Sequence, residues 1–141
     1  ENGYITEDAA APLYAEAAVL RAMYYYILTS TFGDVPFYAE PVTEENRQKI
    51  ATLPRMDAKQ TRDYCIEELY DLIVVQKALP MIRTYEGTGY RAGAAVGLMV
   101  AAKMCLWNER WEDAIMFTNW KIYMDIMQIL LRSRISVWTI R

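Results

Sequence analysis

The sequence predicts an all-α fold built from antiparallel helical hairpins. Three observations carry this expectation. Apolar residues recur at steps of three and four along most of the chain. Residues that start and stop helices fall between those periodic stretches. No stretch alternates as a half-buried strand does. The 141 residues suffice for one compact core, and a hydrophobic share of 54% beside 23% charged residues excludes a disordered chain.

The first helix is expected from Pro12 to Phe32, with Ala9 to Ala11 compatible with its opening turn. Leu13, Ala17, Leu20, Tyr24, Ile27, Leu28 and Phe32 form its expected inward stripe. Gly33-Asp34-Val35-Pro36 stops it, because glycine suits a C-cap and proline cannot continue a helix. Phe37 to Arg55 reads as a long connection, with one helical turn in Glu44–Ile50. Asp57, followed three residues later by Gln60, has the pattern of a capping box. The helix it opens carries Thr61, Cys65, Leu69, Leu72, Gln76 and Leu79 on one stripe and ends at Leu79-Pro80. Gly87-Thr88-Gly89 marks a loop. A third helix runs from about Arg91 to Trp107, with Ala94, Leu98, Ala101, Ala102, Cys105 and Leu106 inward. Asn108-Glu109-Arg110 turns the chain into a fourth helix from Trp111.

Composition narrows function. The chain has no histidine, which excludes Ser-His-Asp and Cys-His catalysis, Cys2His2 zinc sites and the Glu-x-x-His di-iron motif. Neither a catalytic constellation, a metal site nor a cofactor motif can be assembled. A net charge of −3 argues against a nucleic-acid partner. Cys65 and Cys105 read as buried small hydrophobes, and spacing leaves a disulfide between them open. The longest uncharged run, Ala22 to Gly33, is far below the ~20 residues that span a bilayer. The chain opens at Glu1-Asn2-Gly3 without the basic and apolar regions of a signal peptide.

Other features have a structural and a functional reading. Tyr24-Tyr25-Tyr26 takes three successive helix directions, so at least one ring should leave the core. An exposed ring can stack on a sugar, although packing with a wet hydroxyl is the commoner role. Tyr25 and, among the tryptophans, Trp120 and Trp138 are the aromatic ligand candidates. Trp107 and Trp111 fit a hairpin staple and turn. Glu67, Glu68 and Asp71 are expected on a solvated face, with Arg62 pairing to it only weakly. Gly93-xxx-Gly97 reads as a close helix crossing.

Two resemblances sharpen this. Leu98, Ala101 and Ala102, followed by Trp111 and Ala114, match the 34-residue tetratricopeptide pattern, with Ala102 and Ala114 at the small positions where backbones approach. More specifically, Leu13 to about Phe117 resembles the SusD/RagB family. Ala15-Glu16-Ala17 through Leu20-Arg21-Ala22 to Tyr24-Tyr25-Tyr26 looks like that family's first helix. Phe32-Gly33-Asp34-Val35-Pro36, Leu53-Pro54-Arg55, Gly89-Tyr90-Arg91-Ala92-Gly93-Ala94-Ala95 and Arg110-Trp111-Glu112-Asp113-Ala114 follow in the family's order and spacing.

The resemblance implies a non-enzymatic, cell-surface glycan- or nutrient-binding protein of the outer membrane. It further implies a SusC-like, TonB-dependent transporter as partner and a glycan or oligosaccharide as ligand. Residues 1–120 would be the SusD-like helical-repeat region, and 121–141 a divergent segment, helical at its start. That segment carries a net +3 and the remainder −6. Family members are far longer and carry a lipidated N-terminal cysteine, so a truncated or frame-shifted product is expected. An uncovered apolar helix face near Met116–Leu131 would then drive homo-oligomerisation. The alternative is a tetratricopeptide-like scaffold that binds protein and no glycan.

Overall fold

A computed structural model describes residues 6–81 and 91–119. The expected Gly87-Thr88-Gly89 loop, Trp120, Trp138 and the 121–141 segment lie outside the described residues. Five α-helices are described: α1 (Glu7–Phe32), α2 (Arg47–Ala51), α3 (Ala58–Leu69), α4 (Ala94–Trp107) and α5 (Trp111–Thr118). α3 passes directly into one π-helical turn over Tyr70–Val75, so regular helix ends before the expected Leu79-Pro80. α1, α3 and α4 pack on one another, and α5 folds back along α4 as a hairpin.

The core faces of α3 and α4 follow the sequence pattern. Thr61, Cys65, Leu69 and Leu72 are buried, as are Ala94, Leu98, Ala101, Ala102 and Cys105. Gln76 and Leu106 are exposed. α1 is the reverse of the expectation. Its buried face is Ala15, Ala18, Val19, Ala22, Tyr25 and Thr29. The stripe expected inward, Leu13, Ala17, Leu20, Tyr24, Ile27, Leu28 and Phe32, is the exposed one. Both stripes have helical period, so periodicity alone could not orient the helix. Steric fit decides: alanines let a second helix approach, and large side chains at those positions would hold it off.

Gly97 shows how close that approach is. A Cβ at this position would run into Ile73 Cδ1 and lie 2.9 Å from Val19 Cγ2. The glycine therefore sits where α1, the π-helical turn and α4 converge. Gly93 is equally confined, since a Cβ there would stand 2.8 Å from the Met81 carbonyl oxygen. The Ala94 and Ala95 amides donate to the carbonyls of Pro80 and Met81 at 2.9 and 3.1 Å, which pins the start of α4.

The Gly33 turn is tied to the next helix. Gly33 takes φ +70°, a conformation that favours glycine. Val35–Pro36 (β1) then pairs antiparallel with Arg55–Met56 (β2), with Val35 opposite Met56. Two residues per strand are too few to leave an alternating signal in sequence. Asp34 Oδ1 accepts from the Ala58 amide at 2.9 Å, and Asp57 Oδ1 accepts from the Gln60 amide at 3.0 Å. Two carboxylates therefore serve the first turn of α3, which its dipole favours.

Gly97→Ala is predicted to destabilise the fold by about 1–2 kcal/mol, because overpacking outweighs the gain in helix propensity. Adding Ile73→Val, which removes the colliding methyl, should restore part of the loss. Chemical denaturation of the three variants checks this, and a Gly97→Ala protein as stable as the parent contradicts it.

Candidate functional site

The consecutive tyrosines Tyr24, Tyr25 and Tyr26 of α1 divide between core and surface. Tyr25 is 7% exposed, and its hydroxyl donates to the Pro36 carbonyl and accepts from the Tyr38 amide at 3.1 Å. Its ring packs on Phe37 at a centroid distance of 4.8 Å, and Phe37 packs on Tyr64. The structure thus places this candidate ring inside, holding the Phe37 connection against α1. Tyr24, at 61%, is the exposed member of the triple.

Glu68 does not lie on a solvated face. Its two carboxylate oxygens each accept from Arg21 Nη2 at 2.5 Å, and Oε1 also accepts from the Tyr14 hydroxyl at 3.1 Å. Arg21 Nη1 donates to the Ala39 carbonyl at 2.8 Å. Burial works against the Arg21 charge, but the Glu68 partner more than offsets it and holds the guanidinium pKa above its ordinary value. Glu16 plays the matching role at the other edge, accepting from Arg91 and from the Ala92 amide. Neither pair was legible in sequence, because their partners are 47 and 75 residues apart.

A polar cluster ties α3 to the α4–α5 turn. Arg62 is 7% exposed and donates from Nε to Asn108 Oδ1 at 2.6 Å, with its guanidinium over the Trp107 ring. Burial lowers its pKa. This corrects the expected weak pairing with the acidic face of α3. Asn108 Nδ2 donates to the Lys59 carbonyl and to Asp63 Oδ1. Arg110 donates from Nη1 to Asp63 at 2.9 Å and from Nε to Asp113 at 2.6 Å. Burial raises the Asp63 pKa, but the Arg110 and Asn108 hydrogen bonds win and hold it below the usual carboxylate value. Glu109, between the helices, takes φ +59° to make the turn.

Around Arg110 the surface is concave. A cleft of about 280 Å3 between α3 and α5 has Ile66, Met116 and Phe117 as its apolar lining. Tyr70, Glu67, Arg110 and Asp113 complete it. A second hollow of about 340 Å3 shares Arg110 and Asp113 and adds Glu109, Trp111 and Glu112. Tyr70 and Trp111, 39% and 58% exposed, line the first and the second hollow. Tyr70 meets Phe117 edge-on, at 81° and 6.3 Å between centroids.

Cys65 and Cys105 are free and buried. Burial pushes their thiols up to about 12 and about 11, so both are poor nucleophiles. Among the described residues no group of three His, Cys, Asp or Glu could hold a metal ion. No described helix is long and apolar enough to cross a membrane.

No family model matches the chain. SusD-like protein P25 of Formosa agariphila is 30% identical over 114 residues, 81% of this chain and 20% of that protein. Among solved structures, Surface glycan-binding protein A from Bacteroides uniformis superposes with a TM-score of 0.67 at 30% identity, over 82% of this chain and 25% of that one. A SusD-like protein from Bacteroides fragilis superposes with the same score at 25% identity, over 85% of this chain and 22% of that one. The chain thus spans about a fifth of the length of the curated relative it matches.

The depressed Asp63 pKa makes the turn acid-sensitive. Its contribution is complete above the unfolded-state value near 3.9 and is lost as pH falls through the lower folded value. Asp63→Asn should lower stability at pH 7 by about 1 kcal/mol, a figure discounted for partial exposure, and should flatten this acid dependence. Denaturation midpoints from pH 7 to pH 2 check it, and an unchanged acid limb in the variant contradicts it.

Proposed function

We propose that this chain, a SusD-like helical portion by sequence and by fold, serves as the helical scaffold of a cell-surface glycan-binding protein. The observation that carries this reading is the 30% identity and 0.67 TM-score shared with a surface glycan-binding protein over 82% of the chain. The scaffold binds without turnover, takes a glycan or oligosaccharide as ligand, and works at the outer membrane beside a SusC-like, TonB-dependent transporter.

A second reading, a protein-binding scaffold, is favoured by α1. Leu13, Leu20, Tyr24, Ile27, Leu28 and Phe32 form one exposed face of that helix, and the chain carries no charge from Ala22 to Gly33. A face of this kind is ordinarily covered by another protein surface. The two readings are compatible in one molecule, because α1 and the α3–α5 cleft use different residues.

Electrophoresis in native gels cast with neutral and acidic polysaccharides tests the proposal. The expected result is retarded migration with at least one polysaccharide and no release of reducing ends. Unretarded migration with every polysaccharide contradicts glycan binding, and reducing-end release contradicts binding without turnover.

A further inference from the structure

We propose that the two hollows around Arg110 form one cleft that binds two successive sugar units of a neutral saccharide, with Tyr70 and Trp111 as the stacking faces. The proposal rests on the glycan-binding reading and assigns it a site. The two hollows share Arg110 and Asp113, so a ligand in one continues into the other past the same two side chains. Each hollow has its own exposed ring, Tyr70 in the first and Trp111 in the second. An aromatic face meets the apolar C–H face of a pyranose, while a few fixed polar groups read the hydroxyls at its edge.

Those polar groups are already in place. Asp63 and Asp113 hold the Arg110 guanidinium from two sides, at 2.9 and 2.6 Å. Little side-chain freedom is then left to lose on binding. Glu67 lines the first hollow from an exposed position, where its carboxylate can accept from sugar hydroxyls. The edge-on contact with Phe117 orients the Tyr70 ring. Tyr70 stands at the junction of α3 and the π-helical turn, at the edge of the cleft.

Charge selects the ligand class. Glu67, Glu109, Glu112 and Asp113 line the two hollows, and Arg110 is already paired with two carboxylates. An acidic saccharide or a phosphate would meet net repulsion, whereas a neutral saccharide meets acceptors and one donor cluster. A purely apolar ligand would strand those carboxylates without hydration.

Titration calorimetry with maltose, cellobiose and laminaribiose, and with cellobiouronic acid as the charged control, tests the assignment. At least one neutral disaccharide should bind, and the acidic control should bind at least tenfold more weakly. Tyr70→Ala and Trp111→Ala should each weaken binding at least tenfold, while Tyr70→Phe, which keeps the stacking face, should stay within about twofold. Glu67→Lys places a long side chain in the cleft from an exposed position and should abolish binding without altering the thermal melt. Undiminished binding in Trp111→Ala and Glu67→Lys overturns the assignment and leaves the glycan reading intact, with its site elsewhere. Failure of every disaccharide to bind a protein that polysaccharide gels still retard also overturns it. Failure in both assays removes the glycan reading itself.

Discussion

The fold depends on how closely three helical segments meet at Gly97. Without a side chain there, Ile73 and Val19 enter the space that a Cβ would fill. The alanines of α1 and α4 continue the same close approach on either side. Tight packing of small residues gives many weak contacts per unit length, and it also removes tolerance for any added methyl. The position of α3, and therefore of Glu67 and Tyr70 at its end, follows from this crossing. The position of α5 follows in turn, because α5 is carried by α4.

Polar pairs then fix what packing leaves loose. Arg21–Glu68 joins α1 to α3, Arg91 joins Glu16 to the approach to α4, and Arg110 joins Asp63 to α5. Each lies at the edge of the apolar core, where partial burial strengthens a paired charge and penalises an unpaired one. The same Arg110 that fastens the hairpin also lies between the two hollows. The side chain that fastens the hairpin thus also shapes both hollows.

Local features were legible in the sequence and relative placement was not. The Gly33 turn, the Asp57 cap, the inward stripes of α3 and α4 and the close Gly93–Gly97 segment each depend on residues within a turn or two of one another. The facing of α1 depends on which of two equally periodic stripes admits a neighbouring helix, and that is a tertiary fit. The π-helical turn left no local mark in Tyr70–Val75. Tyr25 illustrates the same limit for the candidate site: the triple tyrosine announced one exposed ring, and the backbone groups of Pro36 and Tyr38 decided that it is Tyr24. Glu68 looked solvated because its partner lies in another helix. The hollows around Arg110 combine α3, the turn and α5, so no single stretch of sequence displays them.

The central claim is that the Gly97 crossing makes α1, α3 and α4 one cooperative unit to which the cleft is rigidly attached. Native-state hydrogen exchange measures this directly. The account predicts that the amides of Ala18, Ala22, Ile66, Leu69, Leu98 and Ala101 exchange only through the global unfolding event, with one shared free energy and denaturant dependence. Exchange of the α1 amides through a separate, lower-energy opening, while α3 and α4 stay protected, would contradict it.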